Sequence, residues 1–203
     1  MRFRDWFVPD EIQSAAQAAA QMFHVAANTS HFWLKQLTGS LFPIVLGGGI
    51  GWWAVINNAD LKSVESLKDV VTNVLTFASV LAGFMVTLML FTGRTSGTKL
   101  LTVDQAPEYV QKVTYLLFSQ AFTLIIHIGC IVLCVAWLFM LGVKSSPAVG
   151  LWLLVAVFGV VSLSLFRTVL LPFQIYEVHL FELEAMLEEK YREYEESKGG
   201  DDE

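Results

Sequence analysis

Gln120, Thr123, His127, Cys130 and Cys134 follow one another at spacings of three, four, three and four inside a long apolar run, residues 114–141. On a helix that spacing places all five on one stripe, the geometry of a helix–helix seam or of a lumen. His127 falls near the midpoint of the run, where a bilayer is most apolar, and an ionisable group at that depth is a functional-site hypothesis by default. Imidazole and thiolates are the usual ligands of a soft metal ion. Residues seven apart on a helix, however, are separated by about 10.5 Å along its axis. One ion therefore cannot take His127, Cys130 and Cys134 from a single chain, and haem would need a second intramembrane histidine that the chain lacks. No metal and no cofactor is expected. A metal site would have to form across subunits, and two other uses of the stripe remain. A neutral His127 can bond Gln120, Thr123 or a neighbouring helix and fix packing, including packing between copies. Alternatively the stripe lines a polar lumen around an oligomer axis, gated or protonated at His127.

A second stripe lies in residues 70–92, where Thr72, Thr76, Ser79, Gly83 and Thr87 step by four, three, four and four. Small and hydroxyl residues at helical spacing mark close helix packing more often than a conduit, so these positions also read as oligomer seam or pore lining. Gly47, Gly48, Gly49 and Gly51 make the middle of the first apolar run bare, which suits close approach of a neighbouring backbone. His24 and His31 read as surface histidines. The sequence contains no His-Glu-x-x-His and no Gly-x-Ser-x-Gly, and its four apolar runs carry no acidic residue. An enzyme is not indicated. A proton- or cation-coupled transporter would need a carboxylate in its path. Gly93–Lys99 faintly resembles a phosphate-binding loop, but its spacing is one residue short and no strand precedes it.

The third candidate site is of another kind. Phe173, Tyr176, Leu180, Leu183, Leu187, Tyr191 and Tyr194 recur at mostly three–four spacing, with Glu184 and Glu188 among the glutamates on the other faces. Residues 177–203 hold eleven acids against three bases, while the preceding 176 residues hold eight acids and ten bases. An acidic amphipathic helix is expected, able to contact a soluble partner with a basic surface through Tyr176, Leu180, Leu183, Glu184, Leu187, Glu188 and Tyr191. Direct nucleic-acid binding by this tail is not expected, because phosphates would be repelled.

The elements that must position these residues follow from hydropathy. The 203-residue chain is 55% hydrophobic and 16% charged, which places it in the membrane class. The expected fold is an all-α integral membrane bundle with four spans, about 41–57, 70–92, 114–141 and 148–171. Residues 1–40 form an amphipathic, interfacial segment, with a helix from about Asp10 to Ala27 and a break at Asn28–Ser30. Residues 173–203 form the acidic helix and tail. Arg2, Arg4 and Trp6, the pair Trp52 and Trp53, and Arg167 suit the lipid interface. Pro172 is expected to interrupt or kink the fourth helix where it leaves the bilayer. Residues 1–20 lack an apolar core of the secretory type, so the first span is expected to act as its own insertion signal.

Lysine and arginine number three in the N-terminal segment, three in the second connection and four from Arg167 onward, against two and one in the remaining connections. That asymmetry predicts both termini, and the second connection, in the cytoplasm. Polar stripes on two spans and glycines on a third exceed what a lone four-helix bundle can cover, so a homo-oligomer of three to five copies, four favoured, is expected.

With the four runs 41–57, 70–92, 114–141 and 148–171 and the tail after Phe173 set out, the layout resembles the membrane subunit of the bacterial Kiwa antiphage-defence system. The resemblance spans the whole chain as architecture. It implies an oligomeric membrane sensor or scaffold that recruits a cytoplasmic DNA-binding effector. The competing class is a small oligomeric channel or membrane-disrupting effector centred on His127, and a third is a metal or redox protein built on Cys130, Cys134 and His127.

Overall fold

The computed structural model describes residues 10–27, 32–57, 64–92, 106–143 and 147–199. They form five α-helices and no strand: α1 (Asp10–Ala27), α2 (Phe32–Asn57), α3 (Val64–Thr92), α4 (Ala106–Gly142) and α5 (Pro147–Gly199). Four of them, α2 to α5, are long and apolar enough to cross a membrane, which makes this a multi-pass membrane protein. Helices suit such a chain because each satisfies its backbone hydrogen bonds internally, where lipid offers no substitute.

The helices are longer than the apolar runs. α2 begins at Phe32 and passes through Pro43, nine residues ahead of the expected span boundary. A proline ring clashes with the carbonyl four residues earlier; here that residue is Gly39, which has no side chain to hinder relaxation. α4 begins at Ala106 with Pro107 and Glu108 in its first turn, residues that suit a helix N-terminus by preset φ and by charge against the dipole. The second half of the expected loop before residue 112 is therefore helix. α5 likewise opens on a proline and continues without interruption through Pro172. Interruption at Pro172 is thus corrected: Leu171 beside it is 2% exposed, and packing of α5 on α4 holds the chain helical where propensity alone would end it.

α2 packs on α5, α5 on α4, and α4 on α3, so the four long helices are joined in the order α2–α5–α4–α3. α1 lies on α4 and touches α2. The core joins Val71 and Ala78 of α3 to Cys130, Cys134 and Trp137 of α4 and to Leu154 and Val157 of α5. Trp137 Nε1 donates to the Gly150 carbonyl at 3.1 Å, tying the α4 end of that core to the first turn of α5.

The glycine cluster explains the α2–α5 contact. A Cβ on Gly47 would stand 2.3 Å from Ser162 Cβ and 2.6 Å from the Phe158 carbonyl oxygen, and one on Gly51 would stand 2.8 Å from the Phe158 ring. From the other side Gly159 approaches the Ile44 carbonyl. Gly47 and Gly51 are four apart, the small-xxx-small spacing that lets membrane helices touch through their backbones. Gly47→Ala should therefore destabilise the detergent-solubilised protein by about 1–3 kcal/mol, since backbone and not a side-chain tip must move. Gly49→Ala, where a Cβ meets nothing within 4 Å, should leave the unfolding midpoint unchanged in the same thermal scan.

Candidate functional site

Three groups of polar residues compete for function, and the fold treats each differently. The α4 stripe is the most buried feature of the molecule. Gln120, His127 and Cys134 are 0% exposed and Thr123 and Cys130 1%. They face the interior of a single chain, continuing a buried row that starts at Tyr109, Val113 and Leu116 and ends at Trp137. The stripe is thus a helix seam inside one chain and does not by itself call for a second copy.

Its hydrogen bonds are local and specific. Thr123 Oγ1 donates to the Ser119 carbonyl at 2.8 Å, and Gln120 Nε2 donates to Thr92 Oγ1 of α3 at 2.9 Å. His127 Nδ1 lies 2.7 Å from the Thr123 carbonyl oxygen, which can only accept, so Nδ1 carries a proton. His127 Nε2 lies 3.3 Å from Thr168 Oγ1 on α5, whose single proton can go either to that nitrogen or to the Ser164 carbonyl at 2.8 Å. The imidazole therefore bridges α4 to α5 with both nitrogens addressed. Cys130 and Cys134 are free thiols, and among the described residues no group of three His, Cys, Asp or Glu side chains is placed to hold a metal ion.

The α3 stripe has the opposite exposure. Thr72, Thr76, Ser79, Gly83 and Thr87 lie on the outer surface. Each hydroxyl donates to the carbonyl four residues back: Thr72 to Lys68 and Ser79 to Leu75 at 2.8 Å, Thr76 to Thr72 at 3.0 Å and Thr87 to Gly83 at 3.2 Å. Hydroxyls satisfied in this way can face lipid or another helix at little cost.

The third group is carried by the ends of α4 and α5. Tyr109 Oη donates to Glu182 Oε1 at 2.5 Å, and its ring stacks on Phe181 with centroids 6.2 Å apart. Lys112 Nζ sits 4.2 Å above the same Phe181 ring while pairing with Glu108 at 3.2 Å. His179 Nδ1 lies 3.2 Å from Glu182 Oε2. Ala185 is buried. These contacts bind one face of α5 beyond Pro172 to the start of α4 as a two-helix stalk. The other face stays open: Tyr176, Leu180, Leu183, Leu187 and Tyr191 are between 40% and 65% exposed, and Glu184 and Glu188 are exposed among them.

At the opposite end of the bundle Trp52 packs on Trp152 with ring centroids 5.6 Å apart, and Trp53 is exposed beside them, an arrangement suited to a headgroup belt. Arg167 is half-buried. It donates to Gln36 Oε1 of α2, stands 3.4 Å from Ser40 Oγ and lies 4.3 Å above the Phe122 ring. His24 is exposed on α1. Arg2, Arg4, Trp6, His31, the Asn28–Ser30 break and the Gly93–Lys99 loop lie outside the described residues, as does the side chain of Tyr194.

Sequence reasoning missed Tyr109, Glu182, Thr168 and Gln36. Tyr109, Val113, Leu116 and Gln120 already step by four, three and four, so the helical stripe could have been followed backward out of the apolar run. Thr168, the partner of His127 on α5, and Gln36 and Ser40, the partners of Arg167 on α2, are distant in sequence, and no spacing announces them. Comparison with protein families, with curated proteins and with solved structures finds no match for this chain.

Proposed function

We infer that this multi-pass membrane protein is a scaffold or sensor subunit of a bacterial inner membrane that recruits a soluble cytoplasmic protein. The observation that carries the inference is the open face of α5, where five large apolar side chains alternate with carboxylates on a helix already braced by α4. At ~1.5 Å per residue the 53 residues of α5 reach about 80 Å, far beyond a ~30 Å hydrocarbon core. Its distal half therefore projects into water, where an exposed apolar stripe is best accounted for by a binding partner. The acidic charge there selects a basic surface. Lysine and arginine asymmetry puts that end in the cytoplasm.

The scaffold assembles as a homo-oligomer of three to five chains, four favoured, with the outward α3 stripe as the contact between copies. The resemblance to the Kiwa membrane subunit agrees with this reading and gives it a setting in antiphage defence. The channel alternative is less well supported, because the stripe centred on His127 is occupied in packing α4 against α5. Deleting residues 173–203 tests the proposal. Capture of the soluble partner by the tagged protein should be lost while membrane insertion persists; capture undiminished by the deletion would overturn it.

A further inference from the structure

Arg167 lies in a cavity of about 190 Å³ whose wall includes Gln36, Tyr115, Ser119, Thr123 and Gln174. No carboxylate lines it, and no acidic partner of Arg167 exists among the described residues. A guanidinium has five N–H donors in a planar fork. Here only Nη2 is used by the protein, toward Gln36 and Ser40, which leaves the Nε and Nη1 donors without a protein acceptor among the described residues. A half-buried cation with unused donors and no counter-charge is the electrostatic requirement for an anion. A second observation lies in the same wall: Gln174 Oε1 is buried and has no hydrogen-bond partner among the described residues. Turned toward the cavity by a side-chain rotation, it takes a donor, which a bare phosphate diester does not supply and a hydroxylated headgroup does.

Beside this polar cavity runs an apolar one of about 450 Å³, between α1, α2 and α4, walled by Ala19, Ala20 and Phe23 on one side and Phe118, Ala121 and Ile125 on the other. The two meet at Gln36, which lines both, and at Phe122, which lines the apolar groove and carries Arg167 on its ring face. A charged, hydrogen-bonding chamber continuous with a hydrocarbon-lined groove has the polarity profile of a single amphiphile.

We propose that Arg167, Gln174 and the α1–α4 groove form a binding site for one anionic glycerophospholipid with a hydroxylated headgroup, drawn from the surrounding bilayer. The phosphate accepts from Nε and Nη1 of Arg167, a headgroup hydroxyl donates to Gln174 Oε1, and an acyl chain follows Phe122 into the groove. An ammonium headgroup is disfavoured by the neighbouring guanidinium. The bound lipid would also join α1 to the bundle, since α1 supplies one wall of the groove.

The test is native mass spectrometry of the full chain exchanged into mixed micelles containing phosphatidylglycerol or phosphatidylcholine. The wild-type protein should retain phosphatidylglycerol in preference to phosphatidylcholine. Arg167→Gln should weaken that retention by about tenfold to a hundredfold, the loss of a charge-assisted contact. Lys112→Gln, outside the site, should not. Ala121→Trp, which fills the groove and leaves Arg167 intact, should also expel the lipid, and it keeps the proposal testable should Arg167→Gln fail to fold. Equal retention of the two lipids, retention unaffected by Ala121→Trp, or displacement of the lipid by millimolar inorganic phosphate would overturn the assignment.

Discussion

Replacing Leu183 and Leu187 together with lysine should reduce affinity for the soluble partner by about a thousandfold, enough to abolish its capture at ordinary concentrations. Both side chains are about 60% exposed, at 57% and 60%, and neither takes part in the α4 contacts of Phe181 and Glu182 with Tyr109. Exposed substitutions of this kind cost the fold within about 0.5 kcal/mol. Buried apolar anchors at an interface are worth about 2 kcal/mol each, and two of them lost together amount to about a thousandfold in affinity. Lysine adds repulsion against a basic partner. The measurement is titration of the identified partner against the reconstituted variant and wild type. Unchanged affinity would remove the α5 face from the interface.

His127→Ala should lower folding stability by about 3 kcal/mol and leave the ion permeability of reconstituted vesicles at the wild-type level. The ring is 0% exposed, so its removal leaves a cavity beside Thr123 and Thr168 rather than a surface change. The hydrogen bonds contribute less, roughly 0.6 kcal/mol each for side chains bonded across helices in membranes. His127→Leu, which restores volume without the nitrogens, should therefore recover most of the loss. The pair separates packing from conduction: a wild-type unfolding midpoint with altered ion flux in His127→Ala would favour the lumen.

The four spans and the helical stripe on α4 were legible in the sequence because hydropathy and three–four spacing are local properties that a bilayer converts directly into structure. Close approach of some neighbouring backbone was legible in the cluster Gly47, Gly48, Gly49 and Gly51, whereas its partner, α5, was not. Two other features were not. Helix ends were hidden, because hydropathy marks only the apolar part of each helix and Pro172 reads as an interruption or kink, while α2 starts at Phe32 and α5 continues through Pro172. The place of each stripe relative to its neighbours was hidden as well. Periodicity shows that Gln120, His127 and Cys134 share a face, yet only the fold shows that this face meets α3 and α5 of the same chain. The stripe on α3 has the same kind of spacing and ends on the outer surface. A small, hydroxyl-rich face is compatible with a seam inside the chain, a seam between chains or lipid, and spacing alone does not distinguish them. The site around Arg167 was invisible for a related reason: Gln36 and Phe122 come from α2 and α4, far from Arg167 in the sequence, and Gln174, seven residues on in α5, makes no recognisable motif with it.

The account turns on what the open face of α5 touches in the cell. A photoreactive amino acid placed at Leu183 of the otherwise intact chain, activated in living cells, gives that contact directly. The expected product is a discrete adduct between this protein and one soluble, basic-surfaced protein, lost when Glu184 and Glu188 are changed to lysine. Adducts to lipid or to a second copy of the chain, with no soluble protein among them, would contradict the account.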